Sequence, residues 1–193
     1  MFLIRLIKHL WALIAYRHLS FEEAREKFTR WVESSRPQYT KDYKFRVLGT
    51  GFMYKSCGAF GDVFISPCGR FALKRSQDAG CDEGYSHFLQ LALKRQDNPY
   101  YPRIYAHLQD DCTQVVLMER LRPLASTQYL WVKKLRQHMT TDMATLALKD
   151  ENYQQLVADL QALFASTKRI QCDIHHSNVM RRGEQLVVTD PAS

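Results

Sequence analysis

The hydrophobic pattern changes character along the chain. Residues 1–16 are dominated by Phe2, Leu3, Ile4, Leu6, Ile7, Leu10, Trp11, Leu13 and Ile14, interrupted by Arg5, Lys8 and His9. That spacing predicts an amphipathic helix with a wide apolar face. No run reaches the roughly 18 apolar residues a membrane-spanning helix needs, and no small-x-small cleavage site follows it. The helix is expected to pack on the domain, with weak membrane-surface contact as the alternative. Ser20 with Glu23 three positions on is a capping-box pattern. It predicts a second helix over 21–33, ended by a linker at Ser34-Ser35-Arg36-Pro37.

From Tyr43 to Arg75 the texture is that of short strands. Phe45-Arg46-Val47-Leu48, Gly61-Asp62-Val63-Phe64-Ile65 and Phe71-Ala72-Leu73-Lys74 carry β-branched and aromatic residues, and Pro67-Cys68-Gly69-Arg70 is a turn signal. A helix is expected over 82–95 and strands over 104–108 and 113–118. Beyond Pro123 the pattern turns helical, most strongly over 152–167. Val179-Met180 and Leu186-Val187-Val188-Thr189 form a closing hairpin around Arg182-Gly183-Glu184. The fold class expected is α+β: an antiparallel, strand-rich half, then a mainly helical half.

Composition narrows the picture. With 46% apolar and 24% charged residues and only 8 Gly and 6 Pro, disordered, collagenous and low-complexity classes are excluded. The five cysteines (Cys57, Cys68, Cys81, Cys112, Cys172) are irregularly spaced, with no C-x-x-C pair. That argues against a disulfide framework or zinc finger and for a reduced, cytoplasmic setting. The formal charge of +7 suits anionic partners such as nucleotides, nucleic acid or acidic lipid.

Candidate chemistry lies near the end of the chain. Asp173 and Asn178 are five apart in a polar loop, and Asp190 follows twelve residues later after an apolar strand. Such oxygen ligands suit a magnesium ion that also holds phosphates. Upstream, Ser56-Cys57-Gly58-Ala59-Phe60-Gly61-Asp62-Val63 resembles a glycine-rich phosphate loop whose first glycine is replaced by Ser56. Gly49-Thr50-Gly51 is a rival for that part. Ala72-Leu73-Lys74 resembles the A-x-K of a third strand, and Val115-Val116-Leu117-Met118-Glu119-Arg120-Leu121 the strand entering a hinge.

In this order, over residues 43–193, the chain resembles the protein-kinase-like superfamily. Within it the nearest likeness is to the small early protein kinases of short-tailed bacteriophages. The likeness rests on the Asp-x-His-x-x-Asn form at Asp173, His175 and Asn178 and on Thr189-Asp190-Pro191.

The resemblance implies an N-terminal helical extension over 1–42, an antiparallel N-lobe over 43–121 and a minimal C-lobe over 122–193. It implies ATP and Mg2+ as cofactors and transfer to Ser or Thr of protein substrates, nucleic-acid-associated host proteins among them. No specific nucleic-acid binding is expected, and the setting implied is a host cytoplasm. Gly58, Phe60, Gly61, Val63, Ala72, Met118, Glu119, Leu121 and Met180 would hold the nucleotide. Met118 would be the gatekeeper, Glu119 and Leu121 would offer backbone groups, and Met180 would be the floor under the base. Lys74 would hold the α/β-phosphates, Asn178 and Asp190 the metal, and Asp173 would take the acceptor proton.

The sequence departs from the family pattern at several places. Gln171-Cys172 replaces the usual His-Arg, and Pro191-Ala192 the usual Phe-Gly. Glu83, the candidate partner of Lys74, is only nine residues from it. His175 stands where many protein kinases place lysine; small-molecule kinases resembling aminoglycoside phosphotransferases also carry it, which makes such an enzyme a second expectation. The chain stops at Ser193 with no activation segment, so a catalytically silent nucleotide-binding protein is a third.

Overall fold

A computed structural model describes residues 15–16, 18–34, 51–57, 61–77, 83–109, 113–146, 148–166 and 169–192. Most of the expected first helix, the linker beyond Ser34, the strand expected over 45–48, Gly49, Gly58 and Phe60 lie outside the described residues. The chain is α+β, with antiparallel sheets and several helices, and divides into two compact units, 1–82 with 104–120 and 83–103 with 121–193.

The first unit is built on a sheet. Helix α1 (Phe21–Ser34) starts where the capping box expects. The Ser20 N–H donates to Glu23 Oε2 at 2.8 Å and the Glu23 N–H donates to Ser20 Oγ at 3.2 Å. Those bonds hold the Glu23 carboxyl below its ordinary range. Ala24, Phe28 and Val32, four residues apart, form one buried stripe. Five strands follow: β1 (Met53–Cys57), β2 (Gly61–Ile65), β3 (Phe71–Gln77), β4 (Ile104–Gln109) and β5 (Thr113–Glu119). They form one antiparallel sheet in the order β1-β2-β3-β5-β4. The β2–β3 turn closes with the Gly69 N–H on Ser66 O at 2.9 Å, and Gly69 takes φ 70°, a left-handed conformation that glycine adopts without strain.

Side chains alternate across a strand, so the register assigns the faces. Phe64, Leu73, Phe71, Val115 and Leu117 share the core with Ala24, Phe28, Val32 and Phe52 of α1 and its surroundings. Asp62 and Arg75 are cross-strand partners, and Arg75 Nη2 donates to Asp62 Oδ2 at 2.7 Å with both residues buried.

The second unit is mainly helical. It contains α2 (Glu83–Lys94), α3 (Tyr129–His138), α4 (Glu151–Ser166) and a small sheet of β6 (Arg122–Pro123), β7 (Val179–Arg182) and β8 (Gln185–Val188), in that order. Val132 and Leu135 of α3 and Leu156, Val157, Leu160 and Leu163 of α4 are buried. The sequence reading drew its boundary at 121/122; here α2, residues 95–103 and Leu121 group with the second unit. Hydrogen bonds to α4 account for this. Arg95 grips the Asp159 carboxylate through Nε at 2.8 Å and Nη2 at 3.0 Å, the Tyr101 hydroxyl donates to Asp159 Oδ2 at 3.1 Å, and Asn98 Nδ2 donates to Asn152 O at 2.9 Å. No helix among the described residues is long and apolar enough to cross a membrane.

Candidate active site

Sequence-predicted residues gather in two places, one in each unit. On the sheet, Val63 faces Lys74, Lys74 faces Val116, and Ala72 faces Met118 across adjacent strands. Val63, Ala72, Lys74 and Met118 therefore share the face opposite the α1 core. Lys74 is half-buried in mid-strand, and Met118 is 9% exposed. Glu119 pairs with Phe71, which turns its side chain to the other face, where it is buried.

Gly61 is needed for a reason other than phosphate approach. A Cβ built there would stand 2.1 Å from the backbone oxygen of Arg75, so β2 can lie against β3 only with glycine at this position. The replaced first glycine, Ser56, lies in β1 opposite Val63, beside an irregularity in the β1–β2 pairing. The rival Gly51 has φ 87°, a turn requirement that accounts for it independently of any ligand.

In the second unit, residues 173–178 form a loop stapled to the end of the β7–β8 hairpin. The Asp173 N–H donates to Pro191 O at 2.8 Å, and Cys172 bridges Ala192. Thr189 donates to Asn178 O through its N–H at 2.9 Å and its hydroxyl at 3.0 Å, and the Asp190 N–H reaches the same oxygen at 3.4 Å. Backbone bonds thus bring the loop and Asp190 together.

Side chains complete the arrangement. Asn178 Nδ2 donates to Asp173 O at 2.9 Å and to Asp173 Oδ2 at 3.0 Å. Both amide hydrogens are committed there, and Oδ1 takes no hydrogen bond among the described residues. The Ser177 N–H donates to His175 Nδ1 at 3.2 Å. An accepting Nδ1 places the hydrogen of a neutral ring on Nε2, 3.5 Å from Asp173 Oδ1. Nε2 also lies 3.0 Å from Asn178 Nδ2, a contact whose donor depends on the ring tautomer. Asp173 and His175 keep 44% and 43% of their side-chain surface exposed, so an acceptor can reach them from solvent.

The Asn178 amide oxygen and the Asp190 carboxylate are hard-oxygen groups, the chemical type that magnesium takes. Among the described residues no three His, Cys, Asp or Glu side chains converge into a self-sufficient cage. Asn178 Oδ1 and the Asp190 carboxylate offer two hard oxygens, and magnesium takes its remaining ligands from phosphate and water.

Beside the loop is a cavity of about 240 Å³. Pro123, Leu124, Val179 and Met180 line it together with Tyr129, His176 and Ser177. The Tyr129 and His176 rings lie 5.4 Å apart, joining the start of α3 to the loop. Met180, expected as an apolar floor, is half-buried in β7 and lines this cavity. Leu121 is buried just ahead of β6. Gly58, Phe60 and the side chain of Glu83 lie outside the described residues.

The sequence reading missed Tyr129 and His176 as cavity residues; an aromatic at the start of a helix beyond the hinge carries no motif. It also missed the Asp62–Arg75 pair, for which opposite charges on adjacent hairpin strands were the available signal. Neither a scan against protein-family models nor a search of the curated proteins finds a match for this chain.

Proposed function

We propose that the protein is an ATP- and magnesium-dependent phosphotransferase acting on serine or threonine hydroxyls of proteins. The observation that carries the reading is the loop of Asp173, His175 and Asn178, braced side chain to side chain and hydrogen-bonded through its backbone to Asp190. A second support is the shared face of Val63, Ala72, Lys74 and Met118, with the lysine in mid-strand.

Each residue then has a defined task. Lys74 neutralises the α/β-phosphates. Asn178 Oδ1 and Asp190 hold the metal, which when bound neutralises charge on the phosphates. Asp173, its Oδ2 already taken by Asn178, presents Oδ1 to the acceptor hydroxyl and takes its proton. Transfer of this kind depends on positioning and charge neutralisation, which a braced loop provides. His175 also favours a second reading, a kinase for small alcohols or sugars.

The test is magnesium-dependent radiolabel transfer by the full chain to protein mixtures, run beside small alcohols and sugars. Protein labelling is expected, with Asp173→Asn losing about 10²–10⁴-fold in turnover while calorimetry shows parental magnesium-ATP binding. Asp190→Ala is expected to lose that binding. Transfer to small molecules alone would establish the second reading. Magnesium-ATP binding without turnover would point to a silent nucleotide-binding protein, and full turnover in Asp173→Asn would remove its assigned role.

A further inference from the structure

The surface running from the cavity along α3 has a composition that the proposed chemistry does not use. Tyr129 is 48% and Leu130 62% exposed, an aromatic and a branched aliphatic side by side in solvent. Lys133, Lys134 and Arg136 are exposed on the same helix, and Arg122 is exposed beside Pro123 of the cavity wall. Among the described residues none of these four cations has a carboxylate partner. Among the described residues the charge of these four cations is thus not neutralised by an ion pair.

We propose that this surface docks an acidic acceptor segment, one that seats an apolar side chain against Tyr129 and His176 and lays carboxylates along α3. The inference rests on the phosphotransferase reading and names its substrate class. Charge complementarity selects the occupant, because a surface of unpaired lysine and arginine beside an apolar cavity attracts acidic chains and repels basic ones. Position supports it as well. Tyr129 touches His176, three residues from Asp173, so a segment held here reaches the loop. Lys133 lies about 6 Å and Arg136 about 10 Å along the helix from Tyr129, at 1.5 Å per residue. An extended peptide advances about 3.3 Å per residue, so its carboxylates belong about two to three residues beyond the apolar anchor.

The experiment uses the full chain and three matched serine peptides that share one leucine anchor and differ only in flanks: glutamate, glutamine or lysine. Fluorescence anisotropy without nucleotide reads docking, and phosphotransfer reads kcat and KM. The glutamate peptide is expected to bind at least about tenfold more tightly than the glutamine peptide and to weaken with salt. Lys133→Glu/Lys134→Glu/Arg136→Glu should abolish that preference by raising KM, with kcat and melting temperature at parental values. Tyr129→Ala should weaken all three peptides together. If the triple variant melts early, Lys133→Glu alone is expected to shift the preference the same way. Equal binding of the three peptides by the parent, or an unaltered preference in the charge variants, would overturn the proposal. So would tighter binding to phosphatidylserine vesicles or to a single-stranded oligonucleotide than to the glutamate peptide. Glutamate-selective docking without any transfer would uphold the surface and overturn the phosphotransferase reading instead.

Discussion

The two units hold their chemical groups by different means. In the first, Lys74 stands in the middle of a five-stranded sheet, flanked by Val63 and Val116 and backed by a core in which Phe64, Phe71, Leu73 and Leu117 have no solvent exposure. Its position follows from strand pairing and apolar burial. In the second, Asp173, His175 and Asn178 lie on a half-exposed loop held by hydrogen bonds. Substitutions in the sheet should therefore be felt mainly as lost stability, and substitutions in the loop mainly as lost chemistry.

The largest stability effect is expected where the sheet buries charge. Arg75→Met takes the guanidinium away from the buried Asp62 carboxylate, which costs about 3–5 kcal/mol. Adding Asp62→Leu should restore most of that loss, because the remaining pair is apolar. Denaturant melts of both variants check this, and failure of the second change to rescue the first would count against the pairing. Gly61→Ala is next. Its Cβ would meet the Arg75 backbone oxygen, forcing β2 from β3 at a cost of about 1–3 kcal/mol.

On the loop, Asn178→Ala should change stability by only about 1 kcal/mol, the worth of hydrogen bonds in a half-exposed setting. It should nevertheless remove magnesium-nucleotide binding, read by calorimetry. A large melting shift here would erase the contrast between the units.

The smallest effect concerns pH. Burial pushes the His107 pKa down from its ordinary value, and the neighbouring Gln114 side chain opposes this only in part. A depressed pKa means that the unfolded chain binds the proton more readily than the folded one. His107 therefore contributes stability that is present above about pH 6.5, its ordinary pKa, and lost as pH falls from there through the folded value. A pH series of melts should show that acid-side slope in the parent and a shallower one in His107→Gln.

Much of the architecture was readable where local rules and burial agree. Ser20 and Glu23 predicted the start of α1, and Gly183, at φ 62°, predicted the closing turn. Strand β1 escaped notice because Met-Tyr-Lys-Ser-Cys does not alternate cleanly; among the described strands it lies at the sheet edge, irregular near Lys55 and mostly exposed. The allegiance of α2 was unreadable because it depends on Arg95 meeting Asp159, 64 residues away. In the loop, spacing put Asp173 and Asn178 within reach of each other. It could not reveal that Asn178 turns its nitrogen inward, or that the Ser177 N–H meets the His175 ring. Those follow from backbone geometry rather than residue type.

The staple between Asp173 and Pro191 also has a mechanical side. A pull on the chain beyond Ala192 passes first into the Cys172 bridge and the Asp173 N–H, before it loads the β7–β8 ladder. Tension from a bulky fusion or a surface tether attached at that end would be borne by the aspartate itself. An immobilised form of the protein is better anchored through another face, where the sheet rather than the loop takes the strain.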